Sequence, residues 1–340
     1  MKDLNFWKKL KKPIVAMAPM SGVTDSAFRW MVVKYSCHKG EDIGEYGEEN
    51  TDLSRSGPLG VIYTEFISAD GLFLGGGEEV KMNMKYSEIE RPIVAQFFSS
   101  DPERMGKASR LAVEMGFDGV DLNLGCPDRS VCKQGAGSEL IRSPEVAKEV
   151  IEAMREGAGD IPLSVKTRAG YFSDDEMDGW LTSVLSAKPD ALVLHARTRK
   201  DMYKKPARWS LVERAVHIRD RVSKETMLLG NGDASSLVDL YEKIETSGAD
   251  GGMVGRAVLG NPWFFDPEVN ISNLPVEKRL NALLEHCRLF EKIYSGKKNF
   301  SEVKKHFRGY VSGWEGAKEL RSKLMSVKNS DDVRRMISRT

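Results

Sequence analysis

Cys126 is the residue around which chemistry is easiest to place. It stands in Gly125-Cys126-Pro127, directly after the apolar stretch Gly119–Asn123. A thiol between a glycine and a proline sits on a short, stiff loop rather than inside a regular element. A free cysteine is most often an inert small core residue. The position after a strand favours function instead, as nucleophile or as general acid. Cys132 follows on the same loop and takes no assigned part. Cys126, Cys132 and His195 have no recognisable metal-site spacing, so no metal is expected.

Other chemically capable side chains stand where short apolar runs end. They are Ala18-Pro19-Met20, Gln96, Asn123, Lys166 with Arg168, His195 with Arg197, Asn231-Gly232-Asp233 and Gly255-Arg256. The runs themselves read as strands: Ile14–Ala18, Val61–Glu65, Ile93–Gln96, Gly119–Asn123, Leu163–Lys166, Ala191–His195, Met227–Asn231 and Gly252–Val254. Amphipathic segments such as Asp101–Glu114, Pro144–Arg155 and Ser235–Glu242 lie between them. This alternation predicts an α/β fold, a parallel (β/α)8 TIM barrel, which gathers catalytic residues at the C-terminal strand ends.

The seventh and eighth strand ends have their own logic. Loops there commonly bind phosphate through backbone N–H groups and a helix N-terminus. Asn231-Gly232-Asp233 and Gly255-Arg256 offer small residues for close approach and a guanidinium for bidentate contact. A phosphate held there lays a cofactor across the barrel mouth. Lys166 then lies near its ring, either tuning a flavin or acting as a buried catalytic or Schiff-base lysine.

The chain has 340 residues, which suits one barrel of about 250 residues plus an appendage. It is 41% hydrophobic and 30% charged, enough for a large core in a water-soluble protein. No apolar run approaches the roughly 18 residues a membrane span needs. The N-terminal stretch MKDLNFWKKLKKP lacks the apolar core of a secretory signal. Four cysteines, at 37, 126, 132 and 287, form no C-x-x-C pair. A cytoplasmic monomer with free thiols is the simplest expectation.

Residues 1–268 are expected to form the barrel, with 37–58 inserted as a mobile surface loop rich in Gly, Glu, Asp and Ser. Residues 276–340 are expected to form an all-helical domain, since apolar residues recur there at helical spacing. Charge divides the same way. His286–Thr340 holds 14 Lys+Arg against 6 Asp+Glu, net +8, which leaves 37 against 44, net −7, for the preceding residues. A basic tail on an acidic body points to a polyanionic partner at the tail, or to a merely solvated helical face.

The combined pattern resembles the tRNA-dihydrouridine synthases, bacterial members most closely. The residues carrying the resemblance are Ala18-Pro19-Met20 with Thr24-Asp25, Tyr63-Thr64-Glu65, Asn123 to Pro127, Gly135-Ala136-Gly137, Lys166-Thr167-Arg168, His195 to Arg199, Asn231-Gly232-Asp233 and Gly255-Arg256. In the tail they are Lys305-His306-Phe307 and Gly316 to Arg321. The resemblance covers nearly the whole chain. It departs at the longer 37–58 segment, at Ala196 where glycine is common, and at Cys132.

The resemblance implies an oxidoreductase that reduces the C5=C6 bond of a uridine in tRNA, with FMN as cofactor and NADPH as reductant. Hydride would reach C6 from reduced FMN and a proton would reach C5 from Cys126. Ala18, Pro19, Met20, Gln96, Asn123, Lys166, His195, Asn231, Gly232, Asp233, Gly255 and Arg256 would hold FMN. Arg168, Arg197, Lys305, His306, Arg308, Lys318 and Arg321 would meet tRNA. Phe307, Tyr310 and Trp314 lie among those cations, and at least half of these aromatics should form the small domain's core instead. Two other readings remain: a barrel flavoenzyme reducing a free pyrimidine or small enone, and a non-catalytic tRNA-binding protein.

Overall fold

The computed structural model describes residues 4–49 and 56–338. Eight parallel strands close into a barrel. They are β1 (Ile14–Met17), β2 (Leu59–Ser68), β3 (Ile93–Phe98), β4 (Gly119–Leu124), β5 (Leu163–Arg168), β6 (Ala191–His195), β7 (Met227–Asn231) and β8 (Gly251–Val254). Neighbours in sequence are neighbours in space, and β8 returns to pair with β1 from Ile14↔Gly251 to Met17↔Val254. All eight expected strands are present.

The strands are apolar almost without interruption because both faces of a parallel barrel are covered. Every residue of β1, β3, β4 and β6 is buried. Trp7, on a 3₁₀ turn at Phe6–Lys9, packs with Ile14, Val61, Val94 and Leu229 in the barrel core. The first helix, α1 (Ser26–Val32), follows β1. Then α2 (Pro102–Glu114), α3 (Pro144–Ala158), α4 (Met177–Ser186), α5 (Ser210–Val222) and α6 (Leu237–Ser247) follow β3 to β7 in turn. Asp101 caps α2 by accepting the Arg104 N–H at 2.9 Å, and Pro102 occupies the first turn, where its missing N–H costs nothing.

By compactness the chain divides into two units. The first comprises residues 1–19, 60–84 and 92–255; the second comprises 20–59, 85–91 and 256–340. The second unit therefore takes α1 as well as the tail helices α7 (Val276–Tyr294), α8 (Ala317–Leu324) and α9 (Ser330–Ile337). Within it α1 packs on α7. The reason is visible in α1 itself: every residue from Ser26 to Val32 is buried, Arg29 included. Arg29 donates through Nε to Glu90 at 2.5 Å, and both side chains are fully buried.

Two expectations change here. The segment 37–58 is not a plain surface loop where it is described; residues 50–55 lie outside the described residues. Cys37 and Ile43 are each 1% exposed, and Gly44–Glu45 pairs with Glu48–Glu49 as a small hairpin. Its Tyr46 hydroxyl meets Ser26 Oγ at 2.8 Å, and Glu49 accepts the Trp30 indole N–H at 3.1 Å. Polar composition concealed these anchors, which face α1.

His306 is the second change. Expected at a tRNA surface, it is fully buried in the second unit. Its Nδ1 accepts the Gly260 N–H at 3.2 Å, so Nε2 carries the proton and donates to the Val23 carbonyl at 3.1 Å. Its ring lies 4.1 Å from Phe28 and 4.9 Å from His286. Burial holds His306 neutral, lowering its pKa to about 3, and pushes His286 well down too. Of the three interleaved aromatics, Phe307 and Tyr310 are core residues, while Trp314 lies half-buried beneath Arg279.

Candidate active site at the strand ends

The inward side chains at the C-terminal ends of β3, β4, β5 and β7 form one polar layer, with one set of hydrogen bonds around Asp121 and another between Lys166 and Asn231. Sheet register sets the layer: Gln96 stands opposite Asp121, Asn123 opposite Lys166, and His195 opposite Asn231. Asp121 and Asn123, two residues apart on one strand, share a face.

A directional chain runs through Ser164, Asp121, Gln96 and Asn123. Ser164 Oγ donates to Asp121 Oδ1 at 2.5 Å, and Gln96 Nε2 donates to Asp121 Oδ2 at 2.7 Å. With its amide N–H₂ fixed on a carboxylate, Gln96 must present Oε1 to Asn123, whose Nδ2 donates to it at 2.9 Å. Asn123 is thereby left with Oδ1 facing the loop. There it accepts the N–H groups of Gly125 at 3.0 Å and Cys126 at 2.9 Å. Asp121 does not stand out from the sequence as a site residue. The signal for it is a carboxylate inside an otherwise apolar run, Gly119-Val120-Asp121-Leu122-Asn123. Burial pushes its pKa up to about 6, against the lowering effect of its Ser164 and Gln96 bonds.

Cys126 is held on every side by its backbone. Its carbonyl accepts the Ser138 N–H at 2.9 Å. Gly137, beside Ser138, has φ +63°, and a Cβ there would lie 2.8 Å from the Cys126 oxygen. The Gly135-Ala136-Gly137 turn thus closes the loop and opens a 3₁₀ segment at Gly137–Arg142. Burial pushes the Cys126 thiol above its ordinary pKa, although the Asp128 N–H favours the thiolate. At neutral pH the group is a thiol, the form that can give a proton; a nucleophile needs the thiolate.

Lys166, the partly exposed member of the layer, donates to Asn231 Oδ1 at 3.1 Å, and Asn231 donates to the Met253 carbonyl at 2.7 Å. Burial, and then the Arg168 charge, lower the Lys166 pKa to about 8. Asn231 is the one acceptor for the Lys166 ammonium among the described residues, so the ammonium retains N–H groups for a ligand. The backbone N–H groups of Gly232 and Ala234 likewise have no acceptor among the described residues. Gly232 has φ +138° and lies so near Ala207 that a Cβ would sit 2.6 Å from it. A cation, two amides and a glycine-lined pair of free N–H groups suit a planar heteroaromatic ring bearing a phosphate, so this donor set fits FMN.

Several expected residues have other duties. Arg168 is 1% exposed; it donates to the carbonyls of Gly125 at 2.7 Å, Thr198 at 3.1 Å and Met202 at 3.3 Å. It pins the cysteine loop and does not face solvent. Arg197 is 2% exposed and donates to the Lys205 carbonyl, to His195 Nε2 at 3.0 Å and to Asp233 at 2.5 Å. Arginine has no acceptor, so His195 accepts through Nε2 and is neutral with its proton on Nδ1. Asp233, expected at the phosphate, commits its carboxylate to Arg197 and to the Ala207 N–H at 2.8 Å. Both arginines look like tRNA contacts in the sequence because strand ends are usually open; the long loop after β6 covers them.

Ala18, Pro19, Gly232 and Gly255 belong to the first unit with this layer, while Met20 and Arg256 begin segments of the second. There Lys305, Arg308 and Lys318 are exposed, whereas Arg321 donates to the Val311 carbonyl at 2.8 Å. Among the described residues no helix is long and apolar enough to cross a membrane.

Known proteins match this chain over its length. The model of the family described as dihydrouridine synthase (Dus) matches residues 16–339. A protein of Staphylococcus aureus (strain MRSA252) named "Probable tRNA-dihydrouridine synthase" is 35% identical over 339 residues, spanning 98% of this chain and 94% of its own. "Probable tRNA-dihydrouridine synthase 2" of Bacillus subtilis (strain 168) is also 35% identical over 339 residues, covering 98% and 95%. Among solved structures, histamine dehydrogenase from Rhizobium sp. 4-9 superposes with TM-score 0.52 at 14% identity, over 81% of this chain. This chain spans only 48% of that larger protein, and the likeness concerns the fold alone. With the cysteine loop, the strand-end layer and the tail helices all inside the matched span, this chain belongs to the dihydrouridine synthase family.

Proposed function

We propose that this protein is a tRNA-dihydrouridine synthase that reduces the C5=C6 bond of a uridine in tRNA, with Cys126 as the proton donor. The observation that carries the reading is Cys126 itself, a thiol kept protonated by burial on a loop whose backbone is tied at both ends. Family membership supports the substrate. A bound FMN, reduced by NADPH, would supply the hydride for C6.

The chain's own residues supply the rest. Gln96, Asn123, Lys166, His195 and Asn231 present the polar groups that would hold and orient a flavin ring, and Ala18-Pro19, after β1, would pass beneath that ring. The N–H groups of Gly232 and Gly255 would meet its phosphate. Lys166 places positive charge where a ring gains negative charge on reduction. Cys126 would then give its proton to C5, a step typically worth about 10²–10⁴-fold in rate. The uridine must leave its stack to reach this loop, at a cost of a few kcal/mol that tRNA contacts must offset. Exposed Lys305, Arg308 and Lys318 offer such contacts.

The test uses purified protein, NADPH and tRNA from a strain that lacks dihydrouridine, with product counted by nucleoside mass spectrometry. Wild type should form dihydrouridine, and Cys126→Ala should retain flavin and bind tRNA but form product at least about 100-fold more slowly. Turnover by Cys126→Ala at the wild-type rate would remove the proton-donor role. A flavin-loaded, NADPH-reducible wild type that leaves uridine untouched would remove the whole reading.

A further inference from the structure

The barrel unit is acidic in sum, yet one part of its surface has the opposite character. The loop after β6 reads Arg199-Lys200-Asp201-Met202-Tyr203-Lys204-Lys205-Pro206-Ala207-Arg208, which is five cations against one carboxylate. Tyr203 at its centre is 54% exposed. The loop after β5 presents Phe172, 59% exposed. Exposed aromatic side chains set among cations offer ring faces on which bases can stack.

The two loops are one surface. The Arg199 N–H donates to the Gly170 carbonyl at 2.8 Å, and the Lys200 N–H donates to the Tyr171 carbonyl at 2.9 Å. Arg199 and Arg142 lie over the Tyr171 ring at 5.2 and 5.3 Å, and Tyr171 meets Phe172 edge-on at 4.6 Å. This surface also adjoins the reactive loop. Arg168, whose Nε holds the Gly125 carbonyl, lies 5.6 Å from the Tyr203 ring centre, and the His195 ring lies 6.0 Å from it. Arg168 also holds the Met202 carbonyl at 3.3 Å, so Tyr203 is presented from a fixed backbone.

Not all of the cations are free to act. Lys205 pairs with Asp201 at 3.0 Å and Arg208 pairs with Asp174 at 2.9 Å. Lys200 and Lys204 are exposed and have no acidic partner among the described residues. Two open aromatic rings with two unpaired ammonium groups match what single-stranded RNA needs: ring faces for bases and point charges for phosphates. A protein partner would be met by a more apolar and less cationic patch.

We propose that the loops after β5 and β6 form an RNA-contacting platform on the barrel unit itself, separate from the basic tail. In it Phe172 and Tyr203 stack on unpaired bases flanking the target, while Lys200 and Lys204 meet the adjoining phosphates. Such a platform would hold open the tRNA segment from which the uridine is drawn, within reach of Cys126. The inference rests on tRNA being the substrate.

The two kinds of contact leave different signatures, which sets the experiment. Full-length, flavin-loaded protein is titrated with fluorescent unmodified tRNA across a series of salt concentrations. Phe172→Ala with Tyr203→Ala should weaken binding about 10-fold or more and leave the salt slope unchanged, as stacking requires. Lys200→Ala with Lys204→Ala should weaken binding at low salt and lower the slope by about 2, one for each phosphate that the variant no longer neutralises. Flavin content and reduction by NADPH serve as controls for folding, and Tyr203→Phe should bind as wild type does. Unchanged affinity in both double variants, with wild type binding tRNA, would overturn the platform alone. Failure of wild type to bind tRNA would overturn the substrate reading, and the platform with it.

Discussion

The side-chain oxygen of Asn123 accepts the backbone N–H of Cys126 at 2.9 Å, and this bond couples the cysteine loop to the buried interior of the barrel. Asn123 can offer its oxygen only because Gln96 takes its amide N–H₂, and Gln96 does so because Asp121 takes that of Gln96. A carboxylate two bonds away thus decides which way two amides face.

This polarity predicts a rescue. Gln96→Glu places two carboxylates at a 2.7 Å contact, and should destabilise the protein and loosen the loop. Asp121→Asn should also do so, by leaving a buried amide N–H₂ without an acceptor, at about 1–3 kcal/mol. The swap Asp121→Asn with Gln96→Glu restores every donor–acceptor match, so it should recover most of the stability that Gln96→Glu removes. Thermal melts and urea midpoints of the four proteins give the coupling, expected within about 0.5–3 kcal/mol. Additive losses would mean the chain has no such polarity.

The thiol itself can be followed chemically. Because burial raises the Cys126 pKa, alkylation by iodoacetamide should be slow at neutral pH and still rising above the ordinary thiol value. Trypsin cuts at Arg129, between Cys126 and Cys132, so mass spectrometry of the two peptides separates them. Arg168→Ala frees the Gly125 carbonyl and should speed modification of Cys126 several-fold, without the same effect on Cys287. Equal rates in wild type and variant would show that Arg168 does not hold the loop.

Lys166 should matter for the cofactor more than for folding. Replacing it with methionine keeps the length of the stem and removes the charge. Flavin content after purification should fall by a factor of about 10 or more, as removal of a charge-assisted hydrogen bond implies, with little change in circular dichroism. Full flavin occupancy in that variant would place the ring elsewhere.

Acid should weaken the second unit. His286 and His306 are buried and neutral, with folded-state pKa values below the ordinary value, to about 3 for His306. The unfolded chain takes up protons near pH 6.5, and the folded chain does not until far lower. The stability these groups contribute is therefore complete above about pH 6.5 and is lost as pH falls from there towards 3, by about 1.4 kcal/mol per pH unit for each imidazole. Urea midpoints at pH 7 and pH 5 should differ more in wild type than in His306→Gln; an identical difference would assign the acid sensitivity to other groups.

Local pattern alone determined the barrel and the turn that carries Cys126. A strand buried on both faces needs only an apolar run, and a loop that must turn sharply after it needs only Gly125-Cys126-Pro127, so both are written in neighbouring residues. The strand-end polar residues Gln96, Asn123, Lys166, His195 and Asn231 were legible for the same reason. Long-range packing decided the rest. Arg168 and Arg197 look like surface cations until the loop after β6 folds over them. His306 looks like an RNA contact until Val23 and Gly260 take both of its ring nitrogens. Asp121 looks like an isolated acid until cross-strand register sets it against Gln96 and Ser164. In each case the partner lies at least 25 residues away along the chain or across a loop crossing, and burial and hydrogen-bond partners are properties of that meeting. Sequence spacing carries periodicity and turns, while only the closed tertiary structure assigns which polar groups face solvent and which hold the cysteine loop.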